Sequence, residues 1–76
     1  MKMTDVDEST FNMILEKSGA IEGGSDVGRS HGITTWHRGN WRESVAVRSW
    51  HKDVSERIWH YEVANYLYEA YEGEDK

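Results

Sequence analysis

Two runs rich in β-branched and aromatic residues, 33–38 and 41–50, flank the pair Gly39-Asn40, and nothing else in the chain constrains its fold as much. Such side chains suit a pleated, half-buried surface, and a Gly-Asn pair between them is the signature of a two-residue hairpin turn. This turn would pair Arg38 with Trp41, Trp36 with Glu43, Thr34 with Val45 and Gly32 with Val47. One face of the hairpin then carries Thr34, Trp36, Trp41, Val45 and Val47, and is expected to meet the core. The other carries Ile33, Thr35, His37, Arg42, Ser44, Ala46, Arg48 and Trp50, and is expected to be amphipathic and open.

On either side of this hairpin the pattern changes. Phe11, Ile14, Leu15 and Ser18 follow the i, i+3, i+4, i+7 spacing of an amphipathic helix, predicted over 8–18. Asp7 or Ser9 supplies an N-cap, and Gly19 stands where a left-handed residue would end the helix. Residues 22–32 hold four glycines and read as a loop, because glycine loses the most backbone entropy in any regular element, with an extra short strand around 19–21 or 26–29 as the alternative. A longer C-terminal helix is predicted over 54–72, with Asp53 and Glu56 as a capping-box-like start and Gly73 as its end. Its stripe of Trp59, Val63, Tyr66, Leu67 and Ala70 would cover the apolar hairpin face. The expected fold is therefore α+β: an N-terminal helix, a two- or three-stranded antiparallel sheet built on hairpin 33–50, and a C-terminal helix packed on one sheet face. Residues 1–76 form a single small domain in this reading, with 1–6 and 73–76 as flexible tails.

Size sharpens the problem of stability. A chain of 76 residues has room for one core, and buries only about 60% of the surface its unfolded form exposes. The absence of cysteine removes disulfides and thiolate metal sites as staples, leaving packing or association with a partner or a second copy. No apolar run approaches the roughly 20 residues of a membrane span, and the polar start Met1-Lys2-Met3-Thr4-Asp5 does not resemble a signal peptide. A cytoplasmic location with no membrane partner is the default expectation.

The net charge of −5 is unevenly spread. Residues 1–28 hold two cations against six carboxylates, residues 29–52 five against one, and residues 53–76 two against seven. A basic middle thus lies between acidic ends, which offers internal complementarity or two separate binding surfaces.

Several chemistries are disfavoured. Gly23 to Ser30 has the spacing of a phosphate-binding loop with arginine for lysine, but no buried strand and parallel sheet of the required size could surround it. His31, His37, His51 and His60 include no i, i+4 pair and no HExxH, so no metal site and no cofactor are expected. His51 beside Asp53 is the nearest approach to an acid–base pair, and Asp53 is better used as a cap; no catalytic residue is assigned and an enzyme is not expected.

Two binding readings remain. In the first, Val54, Ile58, Tyr61, Glu62, Tyr68, Glu69 and Glu72 form an acidic, tyrosine-bearing helix face that docks on a protein with a basic surface. Val54 and Ile58 also suggest a homodimer contact. A short, acidic, cysteine-free chain of this kind resembles small viral, phage-type inhibitor or accessory proteins in profile, though not in any motif. In the alternative, His37, Arg38, Arg42, Arg48, Trp50 and Lys52 bind nucleic acid by combining phosphate-binding charge with stacking surfaces. The order helix, strands, helix is similar to that of double-stranded-RNA-binding domains, but their lysine-rich last-helix start is here Asp53-Val54-Ser55-Glu56-Arg57.

Overall fold

The computed structural model describes residues 2–39 and 43–74. Its elements run β1 (Met3–Asp5), α1 (Glu8–Ser18), β2 (Ile21–Val27), β3 (His31–His37), β4 (Ala46–Asp53), β5 (Glu56–Ala64) and α2 (Asn65–Glu74). The strands form one five-stranded antiparallel sheet in the order β1-β5-β4-β3-β2. The class is α+β, as expected, but the sheet is larger than a two- or three-stranded one and the second helix is shorter.

Helix α1 forms where the periodicity places it. The Asp7 carboxylate accepts from the Thr10 backbone N–H at 2.9 Å, and Gly19 closes the helix in the left-handed region at φ 70°. Hydrogen bonding by Thr10 holds the Asp7 carboxyl below its usual range. Phe11 and Ile14 are buried, while Leu15 packs at the core's margin. Phe11 meets Trp36 edge-on, with ring centroids 5.4 Å apart, and Tyr61 at 5.2 Å. Around these rings Val45, Ala46, Val63, Ala64 and Leu67 complete the core. Burying a side chain such as Phe11 is worth about 1.5–3 kcal/mol.

The largest correction concerns residues 54–64. They are not helix. Asp53 pairs with Glu56 across a two-residue turn at Val54 and Ser55, and β5 runs antiparallel to β4 from there to Ala64. Arg57, Trp59, Tyr61 and Val63 alternate with Glu56, Ile58, His60 and Glu62, and this period of two puts β-branched and aromatic residues where a strand wants them. Asp53 is therefore a strand residue and caps nothing. Helix α2 begins only at Asn65 and continues through Gly73 to Glu74. Its Glu74 carboxylate meets Lys17 of α1 at 2.9 Å.

Residues 21–27, within the expected loop and its border, form edge strand β2, with a shift of register between Glu22 and Ser25 that accommodates Gly23 and Gly24. Such an irregularity twists an edge and discourages further pairing. Met3–Asp5, in a segment expected as a tail, pair with Ala64–Glu62 at the other edge.

The β3–β4 register also differs. Trp36 lies opposite Ala46 and Gly32 opposite Trp50, a slip of three residues from the pairing that a Gly39-Asn40 turn would impose. An odd slip turns every side chain of one strand to the other face. Ala46, Arg48 and Trp50 consequently share a face with Trp36, while Val47 joins Ile33, Thr35 and His37 on the opposite one. The expected Trp41 and Arg42 positions, like the turn residue Asn40, lie outside the described residues.

Candidate binding face of the sheet

The strand registers arrange one sheet face in rows. Thr34, Arg48 and Tyr61 form one row, Gly32, Trp50 and Trp59 the next, and Lys52 and Arg57 the last. Helix α1 packs on this face around Trp36 and Tyr61, and the rows beyond run out towards the β4–β5 turn. Here the surface is aromatic and cationic.

Each arginine lies over an indole. The Arg48 Cζ atom is 5.2 Å from the Trp36 ring centre and 5.7 Å from that of Trp59, and the Arg57 Cζ is 4.4 Å from that of Trp50. Such contacts are worth about 0.5–1 kcal/mol when exposed, and more when water is excluded. Trp50 and Trp59 are tilted neighbours at 6.4 Å, and Trp59 stacks with Tyr61 at 6.5 Å. Trp59 remains 42% exposed.

Trp50 sits where it does because Gly32 has no side chain. A Cβ on Gly32 would fall 2.2 Å from the indole Nε1 and 2.6 Å from Cε2, far inside van der Waals contact. Glycine here is required for close approach rather than for backbone freedom. Tyr61 anchors the inner end by donating its hydroxyl proton to Glu8 at 2.7 Å. Partial burial, and then the Glu8 carboxylate, push its phenol above the usual range.

On the strand positions of β3, β4 and β5 that share this face there are three cations, Arg48, Lys52 and Arg57, and no carboxylate. Lys52 stands directly opposite Arg57, and on the reverse face Asp53 stands opposite Glu56. Like charges across a strand pair are destabilising, so the hairpin end is electrostatically polarised, basic on one side and acidic on the other.

The sequence-derived sites are redistributed by this geometry. Arg48, Trp50 and Lys52 do come together. His37 projects from the opposite face, where its Nδ1 lies 3.1 Å from the Gly39 carbonyl oxygen, and Arg38 lies beside the hollow between the helices with Tyr66 and Tyr71. Arg42 lies outside the described residues. Arg57 and Trp59 belong to the face as strand residues rather than to the expected helix; the alternation in residues 56–63 is compatible with this strand but does not by itself exclude the helix.

The acidic strip is broken up, since it required a helix from residue 54. Val54 occupies a turn and is 97% exposed, Ile58 and Glu62 lie on the reverse sheet face, and Tyr61 faces α1. Only Tyr68, Glu69 and Glu72 are on α2. Tyr68 and Glu72 instead join Asp5, Asp7, Thr10 and Tyr71 around an open depression of about 420 Å³. The charge of Glu72, followed by partial burial, raises the Tyr68 phenol.

These features define a small α+β protein with an aromatic, basic sheet surface. Comparison with protein-family models, curated proteins and solved structures finds no match to the chain. No helix among the described residues is long and apolar enough to cross a membrane.

Proposed function

We propose that the protein is a non-enzymatic binder of single-stranded nucleic acid, acting through the sheet-face rows of Arg48, Trp50, Lys52, Arg57 and Trp59, of which Lys52, Arg57 and Trp59 are exposed. The observation that carries this reading is the co-location of three cations with exposed indole surface on a face where the positions of β3, β4 and β5 hold no carboxylate, with Glu22 of edge strand β2 lying at its far end beside Trp36. Guanidinium groups lying over indoles keep their N–H edges available to phosphate oxygens, while Trp59 offers a ring on which a base can stack. A sheet surface suits an unpaired strand, whose bases can be splayed over it.

Fluorescence anisotropy of labelled oligo-dT and oligo-U tests the reading. Binding should be saturable at low salt. With three phosphates contacted, the logarithmic salt slope should be about −2 for a single strand. Arg48→Glu with Arg57→Glu should abolish binding, and Trp59→Ala should weaken it about tenfold through lost stacking. Absence of binding to either oligonucleotide at low salt would overturn the proposal.

A second reading has its own observation, the depression bordered by Asp5, Asp7, Tyr68 and Glu72. Its carboxylates and tyrosines fit a basic segment of a protein partner, as in the inhibitor or accessory role expected from the sequence. Titration with an oligo-lysine peptide should perturb tyrosine fluorescence, and Asp5→Lys with Glu72→Lys should remove the effect. Equal response from that double variant would refute this reading.

A further inference from the structure

We propose that His51 and His60 form a two-imidazole chelating site for a borderline transition-metal ion of the Zn²⁺, Ni²⁺ or Cu²⁺ class. They are nine residues apart, a spacing without significance on a helix. The β4–β5 register sets His51 opposite Ile58 and His60 opposite Ser49, making the histidines diagonal neighbours on the reverse face of the sheet. Their rings are nearly parallel, at 13°, with centroids 5.0 Å apart, and His60 Nε2 lies 3.1 Å from His51 Nδ1.

This distance suits a metal as well as a proton. In the hydrogen bond, one ring donates its N–H and the other accepts through its in-plane lone pair. A metal at about 2.0–2.1 Å from each of two imidazole nitrogens, at angles from square to tetrahedral, separates them by roughly 2.9–3.4 Å. The observed 3.1 Å lies within that range, so a metal can replace the shared proton once side-chain rotation makes the two nitrogen lone pairs converge on it. Both residues are exposed, so water has access to the remaining coordination positions.

The ligand set also selects the ion. Imidazole suits zinc, nickel and copper, whereas magnesium and calcium require oxygen-rich sites. Among the described residues no third histidine or carboxylate completes the set as the side chains stand. His31 is opposite His51 in the register, but its ring lies against the backbone at Gly28. The site is therefore a chelate of two protein ligands with water beyond. It lies on the opposite face from the proposed nucleic-acid surface and does not depend on that reading.

Calorimetric titration of the whole chain with zinc chloride, paired with long-range ¹H–¹⁵N spectra of the imidazoles, tests the proposal. One zinc ion should bind per chain, shifting His51 Nδ1 and His60 Nε2 while leaving the ring nitrogens of His31 and His37 in place. His51→Ala or His60→Ala should weaken binding about a hundredfold, because a single remaining imidazole loses the chelate advantage. His31→Ala and His37→Ala should bind as the parent does. Circular dichroism of the variants should be unchanged, as neither ring enters the core. No saturable zinc binding, undiminished affinity in the His51 and His60 variants, or equal shifts at all four histidines would each overturn the proposal.

Discussion

Trp36 and Trp50 lie on the same sheet face and are equally hidden, each at 8% exposure, yet they are buried by different means. Trp36 is held edge-on by Phe11 of α1 within an apolar cluster, with the Arg48 guanidinium lying over its ring. Trp50 lies on the bare backbone of Gly32, and the Arg57 guanidinium lies over its ring. The first arrangement makes Trp36 part of the core cluster and stabilises the fold. The second uses a cation on a flexible stem, which can move aside for a ligand at small cost. Equal accessibility therefore conceals a tryptophan held by apolar packing and one that, under the proposed function, meets a ligand.

Removing the apolar cover is the severest way to break this comparison. Phe11→Ala should destabilise by about 3–5 kcal/mol, enough to unfold a domain this small. Chemical denaturation followed by tryptophan emission measures it; a loss below about 1 kcal/mol would show that α1 does not hold Trp36. At the other end Gly32→Ala should cost about 1–3 kcal/mol by overpacking. It should also expose Trp50, detectable as stronger acrylamide quenching in the still-folded protein. Unchanged quenching would mean that Trp50 is not seated on Gly32.

A smaller change of opposite sign is expected at the turn that delivers Arg57 and Trp59. Val54 has φ 60°, a left-handed conformation that a β-branched residue adopts at a cost. Positive φ at the first turn position alone is the pattern in which glycine is favoured. Val54→Gly should raise stability by about 1 kcal/mol, since the relieved strain outweighs the added unfolded-state entropy. A fall in melting temperature would contradict this.

The smallest effect concerns the cap of α1. The folded Asp7 carboxyl is held below its ordinary value by Thr10, so its contribution is present above the unfolded pKa of about 3.9. That contribution is lost as pH falls through the lower folded value. Melting curves between pH 6 and pH 2.5 should therefore decline less steeply for Asp7→Asn, which keeps a capping oxygen but does not titrate. Parallel curves for parent and variant would remove Asp7 from the acid response.

How far these regions were legible in the sequence follows from how local their causes are. Helix α1 was readable from Asp7 to Gly19 because its cap, stripe and stop all act within a few residues. The β3 strand was readable, but not its partner's register: Gly39-Asn40 looked like a complete turn, whereas β3 ends at His37 and β4 begins only at Ala46. Residues 54–64 were misread because Trp59, Val63 and Leu67 satisfy a helical stripe as well as Arg57, Trp59, Tyr61 and Val63 satisfy a strand. Local pattern does not decide between those periods when both place apolar residues on one side.

By itself the sequence determined the α+β class, the first helix, the single small core and the uneven charge. Each depends on composition or on neighbours along the chain. Only the tertiary structure decided which residues share a face. Pairing β5 with β4 assembled Arg48, Trp50, Lys52, Arg57 and Trp59, and set His51 beside His60 on the reverse side. The physical reason is the two-residue period of a strand. A slip of one position exchanges the two faces, and that choice is made by core packing around Trp36, Ala46 and Val63, not by any residue's own preference.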